Sequence, residues 1–129
     1  MAEHAKPPVG TIAWVDLTVP DAPLIRDFYK AVIGWKSEDV TMDDYADFNM
    51  ISPATGMPAA GICHTRGANA DLPPYWLMYV IVANLDQSVD ACRKVGGSVI
   101  SGPRSMGEHG RFAVIHDPAG APMGLFEPV

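Results

Sequence analysis

The sequence is poor in cysteine and in positive charge. These two shortages argue against a disulfide-stabilised fold and against partners that attract basic surfaces. Its two cysteines, Cys63 and Cys92, lie in different apolar segments, which argues against a disulfide framework. Nine lysines and arginines are scattered among fifteen acidic residues, for a net charge of −6. Because nucleic acids and anionic membranes attract basic surfaces, this balance predicts that neither is a partner.

Long hydrophobic runs are also missing. No stretch of about 18 apolar residues occurs, so the sequence predicts no membrane span. The first ten residues carry no apolar core of a signal peptide, which favours a cytoplasmic protein. Glycine-rich phosphate loops and the common thiol-redox and zinc-protease motifs are absent as well. The hydrophobic content of 48% over 129 residues is enough for the core of one domain.

What the sequence does contain is an internal repeat. The segment that starts at Val19 returns at Val82, and the same offset of 63 carries Gly34 onto Gly97. Further on, residues 52–58 return as 117–122, with offsets of 65 and then 64. A repeat this long predicts two copies of one supersecondary unit.

Each copy has the pattern of a βαβββ module. After a tail at 1–9, we predict one domain at 10–129, made of module 10–64, a linker at 65–74 and module 75–128. In the first module Asp21 is the expected helix cap and Gly34 the expected helix end. The helix between them carries one apolar stripe at helical spacing. The members of that stripe are Leu24, Phe28, Ala31 and Val32. The predicted class is α+β, with a curved, mixed sheet and the helices outside it.

Two stretches carry a family resemblance. They are Ile-Ala-Trp-Val-Asp-Leu-Thr-Val-Pro-Asp at 12–21, followed by Phe28-Tyr29 and Gly34-Trp35, and Gly-Arg-Phe-Ala-Val-Ile-His-Asp-Pro-Ala-Gly-Ala at 110–121. Over residues 10–128 the chain resembles the vicinal oxygen chelate superfamily, also called the glyoxalase/bleomycin resistance protein/dioxygenase family. The resemblance implies paired βαβββ modules whose sheets form a cup for a small molecule.

The resemblance also implies where a metal ion would bind. Metal-using members carry His or Gln near the middle of each module's first strand and Glu on each last strand. In this sequence those positions fall on Trp14, Leu77, Ala60 and Gly124. None of the four side chains suits a divalent cation. We therefore predict no metal ion and no other cofactor.

Three polar residues on or beside the predicted strands are candidate site residues. Asp16 shares a face with Trp14 and would act as a base or polar anchor if that face lines the cup; otherwise it is an exposed acid. Tyr79, its repeat mate, would bind a ligand oxygen or Asp16, or be a core aromatic. His64 ends a strand and lies either at the cup mouth or at an exposed edge.

Three further candidates come from the second module. His109, in the glycine-flanked loop 107–110, would act as an acid or base, or be a plain loop residue. Arg111 would clamp a carboxylate or phosphate of a ligand, or pair with a nearby acid such as Glu108. Phe126 joins Trp14 among the aromatic residues that suit an apolar cup wall or an ordinary core.

Three readings of the function fit this sequence. The first is metal-independent binding or sequestration of a small-molecule ligand, as in resistance-type relatives. The alternative is a metal-dependent enzyme of the same superfamily, a glyoxalase-type lyase or isomerase or a dioxygenase. A third reading is a degenerate subunit whose cup is filled by its own side chains. Exposed sheet edges also allow a homodimer.

Overall fold

A computed structural model describes residues 6–129, which form eight strands and two helices. In chain order they are β1 (Ile12–Val19), α1 (Ala22–Ile33), β2 (Lys36–Thr41), β3 (Ala46–Ile51), β4 (Pro58–His64), β5 (Trp76–Ile81), α2 (Leu85–Lys94), β6 (Ser98–Ser105), β7 (Gly110–His116) and β8 (Pro122–Pro128). The order βαβββ occurs twice, which confirms the predicted α+β class. Neither helix is long and apolar enough to cross a membrane, within the part of the chain that the structure describes.

The chain divides into two compact units with the same topology. One comprises residues 14–76, and the other residues 77–129 with the described residues before Trp14. In the 14–76 unit, β1 pairs in parallel with β4, and β4, β3 and β2 follow in antiparallel pairs. In the 77–129 unit, β5 pairs in parallel with β8, followed by antiparallel β7 and β6. Each unit is therefore a mixed four-stranded sheet with one helix.

Helix α1 begins and ends where the sequence predicts. The Asp21 carboxylate accepts a hydrogen bond from the Leu24 amide at 3.2 Å, which satisfies a free amide of the first turn. At the other end Gly34 adopts a left-handed φ of 88° and donates its amide to the Lys30 carbonyl at 3.0 Å. Glycine takes this conformation without a Cβ clash, so the helix stops there.

The apolar side of α1 that packs on the sheet is not the predicted stripe. Leu24, Phe28 and Val32, three members of the predicted stripe, are 62%, 54% and 64% exposed, so the stripe does not face the sheet. The packed side runs through Ala22, which is fully buried, and Ile25. Their partners in the core are Leu17, Val19, Phe48, Met50 and Ile62.

Helix α2 is held on its sheet by both packing and capping. Leu85 and Val89 pack with Ala113 and Leu125. Asn84 caps the helix by accepting from the Gln87 amide at 3.1 Å. These contacts fix the side of the 77–129 sheet that faces its helix, so the alternating residues of β5, β7 and β8 face the other way.

Candidate functional site

Strand β1 sorts its residues between two faces of the 14–76 sheet. Leu17 and Val19 belong to the core beneath α1, so Trp14 and Asp16 point to the face away from the helix. The Trp14 indole Nε1 donates to the Asp16 carboxylate at 2.5 Å. This bond holds the two side chains together on that face.

A row of polar residues crosses the same face at the level of Asp16. The strand register places Asp16 opposite Gly61, Gly61 opposite Asn49, and Asn49 opposite Glu38. The Asn49 amide donates to the Glu38 carboxylate at 3.3 Å. We call Asp16, Gly61, Asn49 and Glu38 the polar row. It presents oxygen acceptors on both sides of a position that has no side chain.

Gly61 is the gap in the polar row, and a side chain there would meet Asp16 as it is placed. A Cβ at this position would collide with the Asp16 carboxylate and would lie 3.4 Å from the Trp14 Nε1. The Asp16 side chain therefore occupies the space that a side chain at residue 61 would need. No larger residue can be placed there unless Asp16 moves.

Burial raises the pKa of Asp16 to about 6. The loss of solvation is the main cause, the hydrogen bond from Trp14 partly opposes it, and the negative charge of Asp47 adds to it. Near neutral pH this carboxyl is thus close to its own midpoint. A group in that state can accept or donate a proton as well as anchor a ligand.

A second buried acid lies near the start of β3. Asp47 is 5% exposed and accepts from the His64 amide at 2.8 Å, with the His64 Nδ1 at 3.1 Å. His64 also lies against the rings of Tyr45 and Phe48, so it is a packed residue and not the exposed strand end that one reading predicted. Burial and the charges of Asp16 and Asp47 raise the pKa of the Cys63 thiol, which stays protonated and is a poor nucleophile.

In the first unit, the strand register moves the last-strand position that the sequence assigned to Ala60 by one residue. Ala60, the mapped last-strand position, is buried beside the core residue Ile62, and the residue opposite Asp16 is Gly61. In the second unit Gly124 lies opposite Tyr79, and a Cβ on Gly124 would collide with the Tyr79 ring. Both pairs obey the offset of 63, so the slip near the turn at 53–56 does not extend into β4.

The aromatic candidates of the 77–129 unit form part of its packing. Tyr79 is 8% exposed, and its ring lies 6.2 Å from that of Phe112. Phe126 is half-buried directly opposite Phe112 in the β7–β8 register. The geometry favours the reading of Tyr79 as a core aromatic with a polar tip.

Arg111 and His109 lie in different settings from those expected of ligand-binding residues. The Arg111 guanidinium donates to Glu127 at 2.9 Å and to Asp86 at 3.1 Å. Its acidic partners are therefore these two and not the Glu108 that the sequence suggested. Glu127 in turn accepts from the Leu85 amide at 2.9 Å, so the cluster ties α2 to β7 and β8. His109 is exposed in a short 3-10 turn.

Sequence reasoning missed the part of the site that comes from β2 and β3. Asn49 and Asp47 alternate with the core residues Phe48 and Met50, which is the signal of a strand with one polar face. Following that alternation would have placed Asn49 on the face of Asp16. No group of three or more His, Cys, Asp or Glu side chains able to hold a metal ion occurs among residues 6–129.

Comparison with known proteins identifies the family to which the chain belongs. Residues 11–123 match the model of the glyoxalase/bleomycin resistance protein/dioxygenase superfamily. The chain is 32% identical over 119 residues to the Mycobacterium tuberculosis protein "Putative glyoxylase CFP32", and 29% identical over 128 residues to the Streptomyces peucetius "Anthracycline biosynthesis protein DnrV". The matches cover 92% and 91% of this chain but only 46% of each relative, so the chain spans about half their length.

Solved structures share the fold at lower identity. Methylmalonyl-CoA epimerase from Mycobacterium tuberculosis superposes with a TM-score of 0.52 at 21% identity, covering 89% of this chain and 85% of that one. A Streptomyces coelicolor methylmalonyl-CoA epimerase variant gives 0.54 at 16% identity, covering 95% and 99%. At these identities the likeness extends to the fold alone.

Proposed function

Because the chain belongs to the glyoxalase/bleomycin resistance protein/dioxygenase superfamily, we propose that it binds a small molecule without a metal ion. The observation that carries the proposal is Gly61. At the last-strand position opposite Asp16 the chain has no side chain, and the carboxylate of Asp16 fills the space where one would project. The same arrangement recurs at Gly124 and Tyr79. Metal-using relatives would need a carboxylate at these strands.

The polar row supports a ligand that brings hydrogen-bond donors. Asp16 and Glu38 offer carboxylate oxygens, and Asn49 offers an amide beside them. The Trp14 indole adds a flat apolar surface next to Asp16. A hydroxyl- or amine-bearing aromatic compound would satisfy both the acceptors and the ring. Binding and sequestration of such a compound is the function we favour.

One observation supports an enzyme as the second candidate. The pKa of Asp16, about 6, is suited to proton transfer at neutral pH. A glyoxalase-type lyase or isomerase, or a dioxygenase, would use Asp16 together with a metal ion held by at least three nitrogen or oxygen ligands. A cytoplasmic location and a homodimer also remain predictions.

Metal analysis separates the two candidates. We would measure the metal content of untagged protein and then titrate it with Zn²⁺, Ni²⁺, Mn²⁺ and Fe²⁺ by calorimetry. We expect no stoichiometric ion and no binding in the sub-micromolar range. A stoichiometric ion, or tight binding with release of protons, would make the metal-dependent enzyme the better reading.

Thermal stabilisation tests the binding site itself. We would screen hydroxyl- and amine-bearing aromatic compounds and compare the wild type with Asp16→Asn and with Asp90→Asn. The last variant makes the same chemical change at an exposed position of α2. Stabilising compounds should lose at least about tenfold in affinity with Asp16→Asn alone, because a charge-assisted hydrogen bond is lost. Equal responses in all three proteins would remove Asp16 from the site.

A further inference from the structure

A groove opens on the helix side of the 14–76 sheet, away from the polar row. Its volume is about 360 Å³, within the range of small-molecule sites. Its walls include Val15 of β1 and Ala60 of β4, which alternate with Asp16 and Gly61 along their strands. Because successive strand residues point to opposite faces, the groove and the polar row lie on opposite sides of one sheet. A ligand in the groove would therefore not touch the Asp16 carboxylate.

Three aromatic rings form much of the remaining wall. They belong to Tyr29, Trp35 and Trp76, and we call this feature the aromatic groove. The ring centroids of Tyr29 and Trp76 lie 5.3 Å apart, those of Trp35 and Trp76 6.2 Å, and those of Tyr29 and Trp35 6.1 Å. The ring planes are inclined at 76°, 69° and 44° in the same order, so none of them stacks flat on another. The Trp76 Nε1 donates to the Tyr29 hydroxyl at 3.2 Å, which holds two of the rings together.

The electrostatics of the aromatic groove favour a positive charge. The face of an aromatic ring is negative, and a cation within about 6 Å of a ring centroid is attracted to it. With the centroids this close together, one cation can lie within that distance of two rings. Ile33, the last residue of α1, also lines the groove, so the negative end of the helix dipole lies beside it. The net charge of −6 attracts cations to the chain as a whole.

The walls also restrict which cation fits. Among the described residues that line the groove, none carries a carboxylate or a side-chain amide. A primary ammonium group would lose the water bound to its N–H donors and find few acceptors in exchange. A quaternary ammonium group has no N–H to satisfy and presents methyl groups to the rings. The same walls contain no lysine or arginine to neutralise an anion, and Lys30, in the last turn of α1, is exposed outside them.

We propose that the aromatic groove is a second binding site, which takes a free small molecule bearing a quaternary ammonium group. Recognition rests on the rings of Tyr29, Trp35 and Trp76, on the helix end at Ile33, and on apolar contact with the methyl groups. This site is independent of the polar row, because the two lie on opposite faces of the sheet. Their ligands differ as well: the compound proposed for Asp16 brings hydrogen-bond donors, whereas a quaternary nitrogen brings none.

A comparison of choline with its neutral carbon isostere tests the role of the charge. The isostere has the same shape, but a carbon atom replaces the nitrogen. Titrations of the wild type at constant ionic strength would follow tryptophan fluorescence, to which Trp35 and Trp76 contribute. Choline should bind at least about tenfold more tightly than the isostere, because a desolvated cation gains from the rings. Equal affinities, or no saturable choline binding up to about 10 mM, would overturn the proposal.

Substitutions test where the cation binds, with calorimetry as the readout. Trp76→Leu should weaken choline binding about fivefold or more, because one ring is lost. Tyr75→Leu removes an aromatic ring at a position 51% exposed and outside the groove, so it is the matched control and should bind choline normally. Asp16→Asn should also bind choline as the wild type does. Choline binding that depends on Asp16 and not on Trp76 would assign the cation to the polar row and refute the second site.

Phosphatidylcholine vesicles distinguish a free compound from a lipid surface, because they present the same quaternary ammonium group on a membrane. The protein should stay in the supernatant when these vesicles are sedimented. Cosedimentation that Trp76→Leu abolishes would make the occupant a membrane and reject the free small molecule. None of these outcomes bears on the proposed function, since the ligands of the polar row are tested separately through Asp16→Asn.

Discussion

Replacing Asp16 by asparagine should stabilise the protein at pH 8 far more than at pH 4. The pKa of this carboxyl is about 6 in the folded chain, against 3.8 for an unperturbed aspartate. Between pH 3.8 and about pH 6 the folded state binds more protons than the unfolded state. Stability must therefore fall as pH rises through this range, and the loss is complete above about pH 6.

The size of the effect follows from the two pKa values. The gap between about 6 and 3.8 corresponds to roughly 3 kcal/mol at 1.36 kcal/mol for each pKa unit. Asparagine at residue 16 keeps an oxygen that can accept from the Trp14 indole, so the hydrogen bond survives. The variant has no carboxyl to ionise there, and its stability should lack this component of the pH dependence.

Urea unfolding at several pH values between 4 and 8 would measure this. The difference in unfolding free energy between Asp16→Asn and the wild type should grow by roughly 3 kcal/mol from pH 4 to pH 8. Asp90→Asn, which makes the same chemical change at an exposed position of α2, serves as the control. If the wild type and Asp16→Asn gave parallel profiles, Asp16 would be solvated in the folded chain and the account of the polar row would fail.

Two other predictions concern β4. Gly61→Ala should destabilise the wild type by about 1–3 kcal/mol through overpacking. In an Asp16→Ala background the same substitution should cost almost nothing, because the colliding carboxylate is gone. Thermal unfolding of the two single variants and the double variant measures this, and additive effects would refute the contact. Cys63 should react with iodoacetamide at pH 8 at least about tenfold more slowly than Cys92, because its raised pKa keeps the thiol protonated. Peptide mass mapping over time gives both rates in one sample, and equal rates would contradict the buried setting of Cys63.

The fold could be predicted from sequence because its signals are local. Asp21 and Gly34 fix the ends of α1 through cap hydrogen bonds that form within a few residues of each end. The repeat then supplies the second module. What local patterns could not decide is which side of α1 packs on the sheet. Its apolar residues occupy two sides, and the structure buries the side of Ala22 while it leaves Leu24 and Phe28 exposed.

The site was harder to predict because it depends on register. Asp16 was found, since its face follows from alternation within one strand. Its neighbours Gly61 and Asn49 come from strands whose alignment passes through the turn at 53–56, where the repeat slips. A one-residue difference there exchanges Ala60 for Gly61 and turns the position to the other face. Register is a property of paired strands, and no single segment encodes it.

The contact between Gly61 and Asp16 also constrains the order in which substitutions at these two positions could accumulate during evolution. A glutamate gained at residue 61 would meet the Asp16 carboxylate, bringing a steric collision and a second negative charge together. The substitution is accommodated without a collision when residue 16 is shorter than aspartate. The route from this protein to a metal-binding relative is therefore ordered, with the first-strand residue changing before the last-strand residue. Sequences along that route should include a small residue at 16 beside glycine at 61, and should lack the reverse combination.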